Sequence, residues 1–170
     1  LILPENEDVK RLSNAMYDIS EYLVDISRKE GLAPGLQPLE GGVTLHIACH
    51  ARAQNMGQKA AELLRQIPET KVAVIERCSG HGGSWGVMKE NFPVALKIGK
   101  PVARQALKNA HPHVASECPL AAIHIVQGME LVAAEAGGNG SAGAAVSAAP
   151  VHPVELFARA REAGVPASPS

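Results

Sequence analysis

The sequence carries no surplus of charge of either sign. Its 170 residues include 16 lysine and arginine residues against 17 aspartate and glutamate residues, and the formal net charge is −1. Proteins that bind nucleic acid present clustered positive charge, because phosphate contacts supply most of the non-specific binding free energy. The balance therefore argues against a nucleic-acid partner.

Long apolar runs are also missing. No stretch approaches the roughly 20 residues that a helix needs to cross a bilayer, and Leu1-Ile2-Leu3-Pro4 is followed by acidic residues rather than by the regions of a secretory leader. We therefore expect a cytoplasmic protein with no transmembrane segment, which reaches a membrane only through a partner. The absent initiator methionine indicates a processed chain or a piece of a longer one.

Cysteine is scarce, and its count is odd. The chain contains only Cys49, Cys78 and Cys118. An odd count in a reducing compartment argues against a disulfide framework, which leaves metal binding, catalysis or simple burial as the role of the thiols. A single free cysteine is most often a small buried apolar residue, so only a joint placement of the three would indicate a site.

The hydrophobic pattern predicts one domain of the α/β class. Short apolar and partly β-branched runs, typical of buried parallel strands, span residues 43–48, 71–75 and 113–116. Stretches with helical spacing span residues 54–67, 93–109 and 119–127. We expect a small parallel sheet with flanking helices and right-handed crossovers, and a kink or break at Gly99-Lys100-Pro101.

Segments of different composition flank this cysteine-rich domain, which we place at residues 43–130. Apolar spacing from Val9 to Ile26 predicts an N-terminal amphipathic helix within residues 1–31. Residues 133–150 are nearly all Ala, Gly and Ser, and predict a flexible linker. We expect residues 151–170 to form a C-terminal tail with a short helix that docks on the domain or on a partner.

Each cysteine directly follows one of the predicted strands. Because the carboxyl ends of parallel strands meet at one edge of the sheet, where ligands commonly bind, we expect the three thiols to lie close together. Glycines allow close backbone approach, and histidines and helix N-termini orient or stabilise a thiolate. Such neighbours are found in Cys49-His50, in Glu76-Arg77-Cys78-Ser79-Gly80-His81-Gly82-Gly83 and in Ser116-Glu117-Cys118-Pro119.

The cysteine pattern resembles that of a known family. Cys49, Cys78-Ser79-Gly80 and Cys118-Pro119-Leu120-Ala121 are similar to the cysteine-rich CCG domain found in the B subunit of heterodisulfide reductase and in the small iron–sulfur subunit of anaerobic glycerol-3-phosphate dehydrogenase. That family has a single Cys, then Cys-Cys-Gly, then Cys-x-x-Cys, in a domain that usually occurs twice. The likeness covers roughly residues 43–127 and is to the second of the two domains. Ser79 and Ala121 replace two of the five cysteines, so five-thiolate ligation is not available from this domain by itself.

The resemblance implies an iron–sulfur cluster, of the 4Fe-4S type, on Cys49, Cys78 and Cys118. His50 and His81 are candidates for a fourth ligand or for orienting a cysteine sulfur, and three thiolates with one imidazole would also suit zinc. Five neighbouring residues would tune the site, although the charged ones among them would equally suit solvated positions. They are Glu76, Arg77, Ser79, Gly80 and Glu117.

The expected function is that of an electron-transfer module or subunit of a heterodisulfide-reductase-like oxidoreductase. Its partner would be another redox subunit or a flavoprotein, with a quinone or a disulfide as an acceptor. Two alternatives stay open: a zinc-stapled structural or interaction module, in which metal binding stabilises the fold, and a degenerate metal-free scaffold domain.

Sequence patterns that would indicate a catalytic site are weaker than the cysteine pattern. Gly82-Gly83-Ser84-Trp85-Gly86 matches a nucleophile elbow, but Ser84 lies well past the second strand and no Asp follows it in the chain. A thiol hydrolase using Cys78 with His81 or His50 as base would leave the other two cysteines unexplained. His46 and His124 lie in apolar segments and are interpreted as core histidines.

Overall fold

The computed structural model describes residues 5–136 and 150–162. Within these ranges, four strands form a single sheet in the spatial order β2-β1-β3-β4, and every neighbouring pair is parallel. The strands are β1 (Val43–His46), β2 (Val72–Ile75), β3 (His113–Ser116) and β4 (Pro150–Val151). The predicted α/β class with a small parallel sheet and flanking helices is confirmed.

Helices cover both faces of the sheet. The described helices are α1 (Glu7–Ala15), α2 (Ile19–Lys29), α3 (Cys49–Ala53), α4 (Lys59–Leu64), α5 (Phe92–Asn109), α6 (Pro119–Ala136) and α7 (Pro153–Glu162). The apolar side chains of α4 and α7 pack with Val43 and Leu45 in one core. Those of α5 and α6 pack with Ile75 and Val114 in a second core on the opposite face. No helix in the described residues is long and apolar enough to span a bilayer.

The N-terminal segment forms two helices where the apolar spacing predicts one. Asp18 begins α2, because its side chain accepts a hydrogen bond from the Ser20 backbone N–H at 2.8 Å while its own backbone is extended. The C-cap of α1, Met16, is extended as well, and α1 has no buried residue. α2 packs against α4 and buries Val24. A local cap thus interrupts a periodicity that would fit one longer helix.

The helices on the other face are more continuous than predicted. α5 runs through Gly99-Lys100-Pro101 as one helix, and α6 continues past the predicted end at Gln127. At Gly128 a Cβ atom would lie only 3.1 Å from the Ala103 side chain, so this glycine permits the close packing of α5 on α6. α6 also includes residues 133–136 of the predicted linker, and residues 137–149 lie outside the described residues.

The C-terminal segment joins the domain. Pro150 and Val151 form the edge strand β4 beside β3, which the sequence pattern did not predict. α7 follows and buries Leu156 and Ala160 completely against the sheet and α4. The predicted short helix is therefore present, and within the described residues it docks on the domain itself.

Candidate functional site

The three cysteines leave the sheet at its carboxyl edge, where the strands end. β1 lies between β2 and β3, and its last residue, His46, pairs with Ile75 on one side and with Ser116 on the other. Cys49 is the first residue of α3, Cys78 lies in the loop after β2, and Cys118 immediately precedes α6. The segments carrying the thiols therefore start from the same level of three adjacent strands.

One predicted pair of ligands is in contact. The Cys118 Sγ and the His81 Nε2 are 3.6 Å apart. The His81 Nδ1 lies 3.3 Å from the Gly83 carbonyl oxygen, which can only accept a hydrogen bond, so Nδ1 carries the hydrogen in this contact. In that tautomer the Nε2 faces the thiol as an acceptor. Sequence reasoning placed His81 next to Cys78, whereas the fold pairs it with Cys118.

The other two thiols are exposed. The Arg52 guanidinium donates to the Cys49 Sγ at 3.6 Å, and His50 is exposed on the same short helix. Cys78 lines an open cavity of about 480 Å³ whose other lining residues are Arg52, Glu76, Arg77, Ile98 and Pro101. Two arginine residues therefore line the cavity together with this cysteine.

The candidate ligands do not form a ready-made metal site. Over residues 5–136 and 150–162, no three His, Cys, Asp or Glu side chains are grouped so that they could hold one ion. A tetrahedral zinc site needs four ligands, and cubane clusters are ordinarily held by four thiolates. Among the described residues, Cys118 and His81 are therefore a pair without a third partner, and they supply only two of the four ligands that either group needs.

Glycines hold the loop after β2 directly against α5. A Cβ atom at Gly80, whose φ is +92°, would lie 2.2 Å from the Ala95 carbonyl oxygen, and one at Gly99 would lie 2.3 Å from the Ser79 carbonyl oxygen. At Gly86 a Cβ atom would lie 2.3 Å from the His81 carbonyl oxygen. Backbone thus packs on backbone, and side chains larger than hydrogen would displace the segment that carries Cys78 and His81.

A buried histidine lies beneath these loops. The His46 side chain is 1% exposed; its Nδ1 is 3.0 Å from the Ser116 Oγ and its Nε2 is 2.8 Å from the Arg77 carbonyl oxygen. Burial lowers the pKa of His46, which favours the neutral ring. The prediction of a hydrogen-bonded core histidine agrees with these contacts, but it gave no hint of a link to the cysteine loops. The register of His46 opposite Ser116 could have been the signal, had the strand order been known.

Glu117 is a buried carboxyl at this edge. It is 7% exposed, and neither carboxylate oxygen has a hydrogen-bond partner among the described residues. Burial, followed by the charge of Asp18, raises the pKa of Glu117 to about 7, and the neighbouring Ser20 hydroxyl opposes this rise without a hydrogen bond of good geometry. The sequence suggested a charge that tunes the site or is solvated, and the structure shows a carboxyl removed from water. Glu76, by contrast, is exposed and accepts a hydrogen bond from Gln58.

Fold and site together define a small parallel α/β domain with three thiols at the carboxyl edge of its sheet. The chain is 34% identical over 90 residues to the C subunit of anaerobic glycerol-3-phosphate dehydrogenase from Escherichia coli strains K12 and O157:H7, covering 52% of this chain and 23% of the relative. It is 31% identical over 117 residues to the B subunit of fumarate reductase (CoM/CoB) from Methanothermobacter marburgensis, covering 66% of this chain and 23% of that protein.

These relatives establish a partial similarity to subunits of a dehydrogenase and a reductase. The chain spans about a quarter of the length of the curated relatives it matches. No protein-family profile matches the chain, and no solved structure matches it. The similarity agrees in part with the family resemblance drawn from the cysteine pattern.

Proposed function

We propose that this chain is a module of an oxidoreductase subunit that holds an iron–sulfur centre, of the 4Fe-4S type, at the carboxyl edge of its sheet. The observation that carries the proposal is the strand order β2-β1-β3, which starts all three cysteine segments from one level of three adjacent strands. The partial similarity to subunits of a dehydrogenase and a reductase supports the redox class. Electrons would pass to another redox subunit or a flavoprotein, with a quinone or a disulfide as the acceptor.

Cys118 and His81 are the first contact on which such a centre would be built. Cys49 and Cys78 are exposed, one at the start of a five-residue helix and one in a loop. Neither reaches the Cys118–His81 pair to make a group of three in the described residues. The proposal therefore requires these two thiols to move toward Cys118 when the centre assembles, with His50 as a further candidate ligand beside Cys49.

Two other functions are each favoured by one observation. A thiol in contact with an imidazole is a mixed sulfur and nitrogen pair of the kind that zinc selects, which favours a zinc-stapled module. The lack of any group of three ligands in the described part of the chain favours a metal-free scaffold domain. Metal analysis separates all three.

The experiment is anaerobic reconstitution of the chain with ferrous iron and sulfide, followed by measurement of visible absorbance and of bound iron and zinc. An iron–sulfur module turns brown and bleaches with dithionite. A colourless protein with stoichiometric zinc would establish the zinc module instead. A folded protein that retains neither metal would leave the scaffold function.

Single Cys→Ser variants at positions 49, 78 and 118 then test the ligand set. We expect each to lose most of the bound metal, because the remaining thiolates cannot hold the centre in the same geometry. Thr44→Val is the matched control, since it removes side-chain hydrogen bonds at the opposite end of β1. Undiminished metal content in Cys118→Ser would remove that residue from the site.

A further inference from the structure

A chain of hydrogen bonds links the loop after β2 to β1 and β3 beneath the cysteine-bearing segments. It runs from the Arg77 carbonyl oxygen to the His46 Nε2 at 2.8 Å, from the His46 Nδ1 to the Ser116 Oγ at 3.0 Å, and from the Ser116 Oγ to the Cys118 backbone nitrogen at 3.3 Å. One end is Arg77, the residue before Cys78, and the other end is Cys118 itself. We call this set the His46 relay.

The partners assign the direction of every bond in the relay. A carbonyl oxygen only accepts, so the His46 Nε2 carries the hydrogen and donates to Arg77. In the neutral ring the Nδ1 is then an acceptor, and the Ser116 hydroxyl donates to it. The same hydroxyl oxygen accepts from the Cys118 N–H, which leaves each donor in the relay with one acceptor.

The centre of the relay is buried, whereas its ends lie nearer the surface, at the exposed Arg77 and the half-buried Cys118. His46 is 1% exposed and Ser116 is fully buried. In such surroundings a hydrogen bond is strong and directional, and a group that loses its partner has no solvent to replace it. The relay therefore connects the loop after β2 to the start of α6 through two buried side chains.

We infer that His46 is a positioning residue, which aligns the Arg77–Cys78 segment with the Cys118 segment through the two nitrogens of one ring. Cys49 follows β1 but has no contact in the relay, and its thiol contacts Arg52 instead. The inference deepens the proposed function and rests on it, because the proposed metal centre is the reason why the thiols would need to be aligned. Its test needs no bound metal, because the alignment is present in the metal-free chain.

Two substitutions at His46 separate the arms of the relay. His46→Gln places an amide N–H near the position of Nε2, so it retains the bond to Arg77 and loses the acceptor for Ser116. His46→Asn places an amide oxygen near Nδ1, so it retains an acceptor for Ser116 and loses the reach to Arg77. Ser116→Ala removes the bond to the Cys118 N–H and leaves the bond from His46 to Arg77.

The measurements are iodoacetamide labelling of each cysteine, followed by peptide mass spectrometry, and hydrogen exchange of the loop at residues 77–83, both on the metal-free chain. We expect His46→Gln and Ser116→Ala to speed Cys118 labelling about fivefold, the effect of one lost hydrogen bond, with the loop exchange unchanged. We expect His46→Asn to speed the loop exchange by a similar factor with Cys118 labelling unchanged. Cys49 labelling is the internal reference.

Thr44→Val is the matched control, because Thr44 lies two residues before His46, on the same face of the same strand, and is hydrogen-bonded at the other end of the sheet. If the His46 variants change both readouts together, or change them no more than Thr44→Val does, His46 is a structural core residue and the inference is wrong. If the His46 variants do not fold, Ser116→Ala decides by the same comparison. If the natural chain takes up no iron–sulfur centre on reconstitution while the His46 and Ser116 variants still separate the two readouts, the proposed function alone is overturned.

Discussion

The two ends of β1 both carry buried hydrogen-bonding side chains, but these are used differently. At the amino end, the Thr44 Oγ1 lies 3.2 Å from the His111 Nδ1 and accepts from the Asn109 Nδ2 at 3.2 Å. These contacts fasten β1 to the end of α5 and to the loop before β3. At the carboxyl end, the His46 relay joins two segments that carry thiols.

The difference lies in what each network leaves unsatisfied. The thiols at the carboxyl end are exposed or half-buried, and next to one of them Glu117 is buried without a partner. A buried carboxyl without a partner lowers stability, and a fold under selection for stability alone would not require it. The amino end thus closes the domain, while the carboxyl end holds groups in place at a cost to stability.

The largest effect is expected from Gly80→Ala, which breaks the backbone packing found at the carboxyl end. The new Cβ atom would meet the Ala95 carbonyl oxygen at 2.2 Å, in a residue with φ of +92°. We expect a loss of about 3 to 5 kcal/mol in the free energy of unfolding, measured by urea denaturation.

Gly83→Ala is the control for that variant. Gly83 lies in the same loop with φ of +63°, but a Cβ atom there has no neighbour within 4 Å. It should cost only about 1 kcal/mol, the strain of a left-handed alanine. Equal losses in the two variants would show that the contact with α5 does not hold the loop.

The second effect concerns the pH dependence of stability at Glu117. Its pKa of about 7 in the folded chain exceeds the ordinary value of 4.5, so the folded state binds more protons between these values. The free energy of unfolding should therefore fall as the pH rises from 4.5 to 7. Glu117→Gln removes this loss, and we expect it to be about 2 to 3 kcal/mol more stable than the natural chain at pH 8.

The measurement is urea denaturation of both chains from pH 4 to pH 8. The two curves should converge below pH 4.5, where the carboxyl is protonated in the folded and unfolded states alike. The exposed Glu90→Gln serves as the matched control. Parallel curves for Glu117→Gln and the natural chain would mean that Glu117 is hydrated or paired.

The smallest effect is expected from Thr44→Val at the amino end. Removal of the hydroxyl ends two hydrogen bonds, which should cost about 1 to 2 kcal/mol in the free energy of unfolding. Because this network does not reach the thiols, we expect the labelling rates of all three cysteines to stay unchanged. A change in the rate of Cys118 labelling would show that the hydrogen bonds at the amino end of β1 also affect the thiols, and the proposed difference between the two ends would be wrong.

Much of the fold could be predicted from local signals. The strand at His113–Ser116 has the predicted bounds, and β1 and β2 lie within their predicted runs, because β-branched apolar runs mark buried strands. The break before Asp18 was missed because a capping side chain overrides apolar spacing. β4 was missed because two residues beginning with proline give no pattern, and its pairing depends on β3 being nearby.

The candidate site was less predictable than the sheet. The positions of the cysteines after three strands follow from the sequence, but which side chains meet depends on strand order and on how each loop turns. His81 is three residues from Cys78 in the chain, yet it contacts Cys118. His46 gave only the signature of a core residue, because its partners Arg77 and Ser116 are 31 and 70 positions away.

The strand order has a consequence for where a ligand can enter. The chain leaves β1 toward β2 through α3 and α4, on one face, and leaves β3 toward β4 through α6, on the other. The two connections diverge, and in open parallel sheets ligands commonly bind at the carboxyl edge where the winding reverses in this way. Cys49 follows one of the two strands at this reversal, and Cys118 follows the other. The reversal is a product of the winding of the chain, and it does not depend on the thiols.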